Sequence, residues 1–250
     1  MTGEGNKPNT TYRVGEISRL TGVKAGTIRF YEQCGFVGPV ERTSNNYRLY
    51  HVRHIYQIRV CRLVFGGFVN RRLRRESRKV LEASSRWDLK AYGEAAANYH
   101  RAVEEDIDGT QKAISICMQQ MGQEAGEDRR FSKKQAAAMV GVTPETIRNW
   151  ERNGLLGQHE PYQKRFYGQE LLNRMYVVRL LLDTGYSMMA IRSFMQEYDS
   201  GQPENAKKLL MSPEESEELR YRSDRYLEEL LHLREKSLQL CELECEMKKI

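Results

Sequence analysis

Apolar residues in the first fifth of the chain recur every three or four positions, in short blocks closed by glycine. Val14, Ile17 and Leu20 form one block that stops at Thr21-Gly22, and Ile28 and Tyr31 form the next, which stops at Cys34-Gly35. That spacing puts side chains on one helical face, so it predicts two short helices joined by a tight turn. Gly38-Pro39 and the stretch from Thr43 to Asn46 are turn formers, and Tyr47 to Tyr50 alternates as a strand does. Together they predict a small β-hairpin wing. Helical spacing resumes over Val52–Phe65 and Val69–Leu81, with a break at Gly66-Gly67. From Trp87 to Met121 it becomes one stripe: Tyr92, Ala96, Tyr99, Val103, Ile107, Thr110, Ile114, Cys117 and Met121. This predicts a single helix about 50 Å long at 1.5 Å per residue. Asp108-Gly109 marks a point where it would bend or break. A helix of that length with one apolar face needs a partner helix.

The pattern then starts again. Shifted by 119 positions, the stretch from Leu20 to Gly38 falls on Met139 to Gly157 with eight identities in nineteen and no gap. Thr27-Ile28-Arg29 and Glu32 lie on Thr146-Ile147-Arg148 and Glu151, and Gly22, Gly35 and Gly38 lie on Gly141, Gly154 and Gly157. Such a repeat is an internal duplication and decides the architecture. The second copy runs from Phe131 to Tyr198, with Thr143-Pro144-Glu145 capping its second helix and Lys164 to Tyr167 as its wing. Beyond it, Ser212-Pro213-Glu214-Glu215 reads as a helix start. Leu219, Tyr226, Leu233, Leu240 and Met247 then repeat every seven residues, while Ser237 and Glu244 interrupt the companion row that Leu230 begins. That is an imperfect coiled coil, either paired with itself or folded back on the first long helix.

The predicted fold class is therefore mainly α, with two winged helix-turn-helix domains, each followed by a long coiled-coil-type helix. The segments are a disordered tail over 1–11, a first head over 12–82, and a long helix and linker over 83–128. A second head over 129–199 and a linker with C-terminal helix over 200–250 complete the chain. Charge sharpens this. The net is +6 overall, but +11 over 1–80, −6 over 81–128, +5 over 129–198 and −4 over 199–250. Basic heads alternate with acidic rods, and a basic head suits a polyanion such as nucleic acid. The run from Asn70 to Lys79, which includes Arg71 and Arg72, is either a second set of phosphate contacts or a solvated face. No apolar run suggests a signal peptide or a membrane span. Five irregularly spaced cysteines argue against a disulfide framework and for a reducing cytoplasm. No motif supports an enzyme, a cofactor or a metal site. Cys241 and Cys245, four apart, are either seam residues or a redox or metal pair.

Helix, turn and helix followed by a wing, with Val14 to Ile17, Thr21 to Val23, Thr27 to Glu32 and Tyr47 to Tyr50 at these separations, resembles the MerR-type transcription regulators. The resemblance covers about residues 12–81. It implies sequence-specific binding of double-stranded DNA by a homodimer paired through the long helices, which distorts a promoter with an overlong spacer, with RNA polymerase as a further partner. An architectural or recombination-accessory protein, or a second head that docks a protein, stands as the alternative. Lys24, Thr27 and Arg29 would face outward from the recognition helix, with Tyr31 either offering a phosphate contact or packing half-buried between the helices, and Arg48 and Tyr50 on the wing. In the second head Lys133, Thr143, Arg148, Trp150, Lys164 and Arg165 take the corresponding roles, unless that head is a degenerate copy kept for packing. Metal-responsive members carry cysteine at the start of the long helix, where this chain has Ala83 to Arg86, so thiolate sensing is not expected. An apolar cleft lined by Trp87, Tyr92, Tyr99 and Met118 is a candidate ligand site.

Overall fold

The computed structural model describes residues 10–67, 70–122, 130–157, 166–211 and 225–250. The expected cap at Ser212, the heptad position Leu219, the wing cations Lys164 and Arg165, and residues 1–9 of the tail lie outside them. Among the described residues there are eleven helices and three short strands, in two units. One unit comprises residues 1–105 with 230–250, and the other comprises 106–229.

In the first unit the strands β1 (Thr11–Tyr12), β2 (Glu41–Arg42) and β3 (Arg48–His51) form an antiparallel sheet in the order β1-β3-β2. Thr11 faces His51 and Tyr12 faces Tyr50, so residue 11, placed in the tail by sequence, is a strand residue. Helix α1 (Val14–Thr21) closes at Gly22, whose φ of 66° is a left-handed conformation that glycine adopts without steric cost. Its inward face is Ile17 and Thr21, four apart; Leu20, expected inside, is 59% exposed. The Thr21 hydroxyl tolerates burial because it donates to the Ile17 carbonyl at 2.7 Å. Helix α2 (Ala25–Gln33) buries Ile28 and Tyr31 and leads through the wing to α3 (Val52–Phe65). Helix α4 (Arg71–Ser85) starts two residues later than expected, because Asn70 caps it by accepting from the Leu73 amide at 2.9 Å.

Helix α5 (Leu89–Met121) is continuous, and Asp108-Gly109 neither breaks nor ends it. In the first unit its opening half lies antiparallel to the closing half of α11 (Tyr226–Met247). The Tyr92 hydroxyl donates to the Leu240 carbonyl at 2.8 Å, His100 and Ser237 are hydrogen-bonded at 2.8 Å, and Glu104 meets Arg234 at 3.9 Å. Partners on α11 descend as those on α5 ascend. Of the two alternatives for the second rod, this half is folded back on the first. At the Ser237 interruption, buried Ser237 pairs with half-buried His100, so there is no gap in the seam.

The second unit holds α6 (Lys133–Val140), α7 (Pro144–Arg152), α8 (Gln169–Thr184), α9 (Met188–Asp199) and α10 (Pro203–Met211). Helix α10 was expected as linker; its Ala206 and Leu210 are buried, and the Tyr186 hydroxyl donates to the Leu210 carbonyl at 2.5 Å. The duplication extends to detail. Phe131 bridges Tyr167 as Tyr12 pairs with Tyr50, and Gly141 and Gly154 both have φ of 73°, as Gly35 does. Arg62 on α3 donates to the Thr21 carbonyl at the end of α1, and Arg179 on α8 donates to the Val140 carbonyl at the end of α6. Each arginine satisfies a helix-terminal carbonyl that has no partner within its helix.

Candidate nucleic-acid interface

A cleft of about 610 Å³ opens in the first head between α1, α2 and the tip of the wing. Arg13 and Arg19 reach it from α1, Arg29 from the exposed face of α2, and Asn46, Tyr47 and Arg48 from the wing. Glu16 also lines it, but its carboxylate accepts from the Arg13 amide at 2.6 Å, as the N-terminal cap of α1. Four arginines on three elements thus line one concavity. The wing tip is shaped by Asn46, whose φ of 63° suits a short polar side chain and whose amide donates to Thr43 at 2.8 Å. Arg13, Arg19 and Tyr47 were not picked from the sequence. Arg13, Glu16 and Arg19 fall three apart, so the charged face of the first helix was legible.

The wing is tied to α2 through Glu32. The Arg48 Nε donates to its carboxylate at 2.6 Å, and both side chains are largely buried. Arg48 is thus a part-buried strut at the rim of the cleft rather than an unattached phosphate ligand. Beneath it, Tyr50 is fully buried, and burial first and the Glu32 carboxylate second push its phenol above the usual tyrosine range. Tyr31 is also a packing residue, stacked on Phe65 with ring centroids 5.5 Å apart, and burial raises its pKa. Neither aromatic is presented to solvent as the sequence suggested. Lys24 and Arg29 are exposed and Thr27 is half-buried, over a floor of Val23 and Ile28.

The wing is fixed from below by His54, which is buried. Its Nδ1 accepts from the His51 amide at 2.8 Å, and its Nε2 lies 3.2 Å from the Pro39 carbonyl. An amide donor at one nitrogen and a carbonyl acceptor at the other define the neutral Nε2–H tautomer. Burial, with the Arg53 guanidinium beside it, lowers the pKa to about 4.

The second head repeats the frame with different charges. Glu151 takes the place of Glu32 and accepts from the Tyr167 hydroxyl at 2.7 Å and from Lys133 Nζ at 2.6 Å. Lys133 is thereby a structural cation. Trp150, on the position of Tyr31, is buried in the core and does not face a ligand. Thr143 caps α7 by accepting from the Thr146 amide at 3.1 Å. Arg148 is exposed like Arg29, but it pairs with Glu145 at 2.7 Å, and Glu145 stands where the first head has Gly26. On α4, Arg71 and Arg72 are exposed. Arg72 pairs with Glu105, Arg78 with Glu82 at 2.9 Å, and Lys79 with Glu76 at 2.7 Å. Much of this basic run is a solvated face with its own counter-ions.

The expected apolar cleft is not assembled within either unit. Tyr92 and Tyr99 are fully buried in the packing of the first, Trp87 lies against Tyr56 there, and Met118 belongs to the second. Burial pushes the thiols of Cys61 and Cys117 up to about 12. Cys241 is half-buried and Cys245 exposed, so neither is a seam residue; Leu240, Leu243 and Met247 are. Among the described residues no three His, Cys, Asp or Glu side chains cluster to hold a metal ion.

Comparison with known proteins agrees with this geometry. The family model for "MerR family regulatory protein" matches residues 13–50, and that for "MerR HTH family regulatory protein" matches residues 131–198. The HTH-type transcriptional regulator HmrR of Sinorhizobium medicae is 39% identical over 49 residues, which is 20% of this chain and 33% of that protein. The regulator CueR of Escherichia coli is 35% identical over 49 residues, 20% of this chain and 36% of its own length. The nodulation protein NolA of Bradyrhizobium elkanii is 37% identical over 54 residues, 20% of this chain and 25% of NolA. The chain thus spans about a third or less of the length of these relatives. No solved structure gives a significant match.

Proposed function

From the premise that this chain carries MerR-type regulator segments in duplicate, we propose that it is a DNA-binding transcription regulator. Its first head would read promoter DNA through the cleft between α2 and the wing. The convergence of Arg13, Arg19 and Arg29 on that cleft, at whose rim Arg48 is paired with Glu32, carries the reading. Phosphate neutralisation by such a set supplies affinity, and it is independent of sequence. Arg29, exposed on the recognition helix, is the group placed to read a base edge or fix the register on a phosphate. Arg48, held by Glu32, positions the wing. By the family resemblance the bound promoter is distorted, an effect whose energy depends on the deformability of the spacer. RNA polymerase would be the partner of the distorted complex, in the cytoplasm.

The second head would contribute the weaker contact, because Glu145 shares the charge of Arg148 and presents a carboxylate toward the phosphates. One similar protein, of Rhizobium meliloti, is named a heavy metal-dependent transcription regulator. Cys117 is fully buried and burial raises its thiol to about 12, so our reading gives it no sensing role. Among the described residues no helix is long and apolar enough to cross a membrane.

The test is selection of binding sites from random duplex DNA with the wild type, Arg29→Ala and Arg148→Ala. A defined motif is expected, with Arg29→Ala relaxing specificity in one part and weakening binding about tenfold, as loss of a bidentate base contact does. Enrichment of no sequence by the wild type would refute sequence-specific regulation and leave the architectural reading. Mobility of circularly permuted promoter fragments then measures distortion, and a straight complex would exclude that part of the mechanism.

A further inference from the structure

We propose that one chain by itself supplies both halves of the DNA-reading unit, and that its target is a non-palindromic site with two unlike half-sites. This rests on the DNA-binding reading above and goes beyond it in the partner's symmetry and the number of chains bound.

The long apolar stripe needs a partner helix, which the family resemblance takes from a second copy of the chain and the residues alone leave open to the second rod as well. In the first unit that partner is already present. Tyr92, Ala96, Tyr99 and Val103 of α5 are fully buried, and so are Leu233, Ser237 and Leu240 of α11. Antiparallel pairing is fixed at several heights by Tyr92 with Leu240, His100 with Ser237 and Glu104 with Arg234. The end of α11 is also held on the first head, where Arg59 binds Glu246 at 2.6 Å. A second copy using this seam would have to displace an intramolecular helix whose effective concentration is set by covalent linkage.

The second unit also holds parts of both long helices. The closing half of α5 contributes buried Ile107, Ala113, Ile114 and Cys117, and α11 contributes Tyr226 and Leu227. The end of α5 meets the second head where Asn173 on α8 donates to the Gln120 carbonyl at 3.5 Å. Each unit therefore contains one head, a stretch of the rod that follows it, and the end of the other rod.

The two heads are not copies at the positions a ligand meets. Lys24, Gly26, Phe30 and Gln33 of the first correspond to Thr143, Glu145, Asn149 and Arg152 of the second. Arg29 lines an arginine cleft, while Arg148 is paired with a carboxylate. A symmetric dimer reads a palindrome because its two recognition helices are identical. One chain with two different recognition helices has no such symmetry, and its best site has none either.

Two measurements on the intact chain decide this. Light scattering coupled to size exclusion should give the mass of one chain, 29.2 kDa, for the free protein, and one added chain per duplex on the selected site. In the selection, Arg29→Ala and Arg148→Ala should degrade different, unrelated halves of one motif, with affinity falling about tenfold in the first case and less in the second. A palindromic motif bound by two chains, or a motif that Arg148→Ala leaves untouched, overturns this proposal while the DNA reading stands. Failure to enrich any sequence overturns both.

Discussion

Acid should loosen the first head through one buried side chain, His54. Its imidazole is satisfied as the neutral Nε2–H tautomer, with Nδ1 occupied by the His51 amide at 2.8 Å. Protonating Nδ1 sets an N–H against an N–H and places a charge beside the Arg53 guanidinium in a site without solvent. The folded pKa is about 4, against the ordinary value of 6.5. Because the folded value is depressed, the unfolded chain binds the proton first. The stability due to His54 is complete above about pH 6.5 and is lost as pH falls from there toward about 4. At 1.36 kcal/mol per unit, the loss between pH 7.5 and 5 is about 2 kcal/mol, and it approaches about 3 kcal/mol at pH 4.

The assay is urea unfolding at pH 7.5, 6 and 5, comparing the parent with His54→Gln. Both proteins carry Trp150→Phe, so that Trp87, which lies against Tyr56 of α3, alone reports the first unit. The difference between the two proteins should shrink by about 2 kcal/mol between pH 7.5 and 5, while carboxylates such as Glu76 and Glu246, common to both, cancel. Parallel pH profiles for the two proteins would refute the tautomer argument. The second head has Leu171 at the corresponding position, so its own unfolding, read by Trp150 in a Trp87→Phe protein, should not show this acid-dependent component.

Glu145→Gln removes the carboxylate that shares Arg148, and should tighten DNA binding about two- to fivefold, on the order of 0.5–1 kcal/mol for an exposed pair. Anisotropy titrations at two salt concentrations check this, and equal or weaker binding would show that the second head stands away from the phosphates. Iodoacetamide at pH 8 should modify exposed Cys34 and Cys245 in the native protein and reach Cys61 and Cys117 only after unfolding, as peptide mass mapping will show. Tyr99 is fully buried and its hydroxyl has no hydrogen-bond partner among the described residues. Tyr99→Phe should therefore stabilise the chain by about 1 kcal/mol, and a destabilisation of that size in thermal or urea unfolding would mean the hydroxyl is satisfied in solution.

The helices and the repeat were legible because both are written in apolar spacing and glycine, which local sterics and burial read directly. Gly22 and Gly141 close the first helix of each head, and Tyr226, Leu233, Leu240 and Met247 are all buried, as a seven-residue repeat requires. Side-chain roles were less legible, because a motif gives residue type and not the direction a side chain faces. Tyr31, Tyr50 and Trp150 have the chemistry of phosphate or base contacts, yet each fills the floor under a recognition helix, while Arg13 and Arg19, outside the motif, face the cleft. Arg48 and Lys133 are cations whose partners, Glu32 and Glu151, lie sixteen and eighteen residues away, beyond any helical spacing rule. The source of the partner helix was illegible for a deeper reason. An apolar stripe states that something must cover it, and a second copy of α5 and the chain's own α11 satisfy that demand with the same hydrophobic chemistry. What distinguishes them is tethering: α11 is delivered by the chain itself, and the polar pair of His100 with Ser237 fixes its height against α5. A side-chain hydrogen bond within the seam, beside the Tyr92–Leu240 tie, also disfavours sliding by a helical turn, so replacing Ser237 with leucine should leave the pairing stable but loosen its register. A disulfide placed by substitution across the Glu104–Arg234 level would then form cleanly in the parent and incompletely in Ser237→Leu, and equal yields would show that apolar packing alone sets the register.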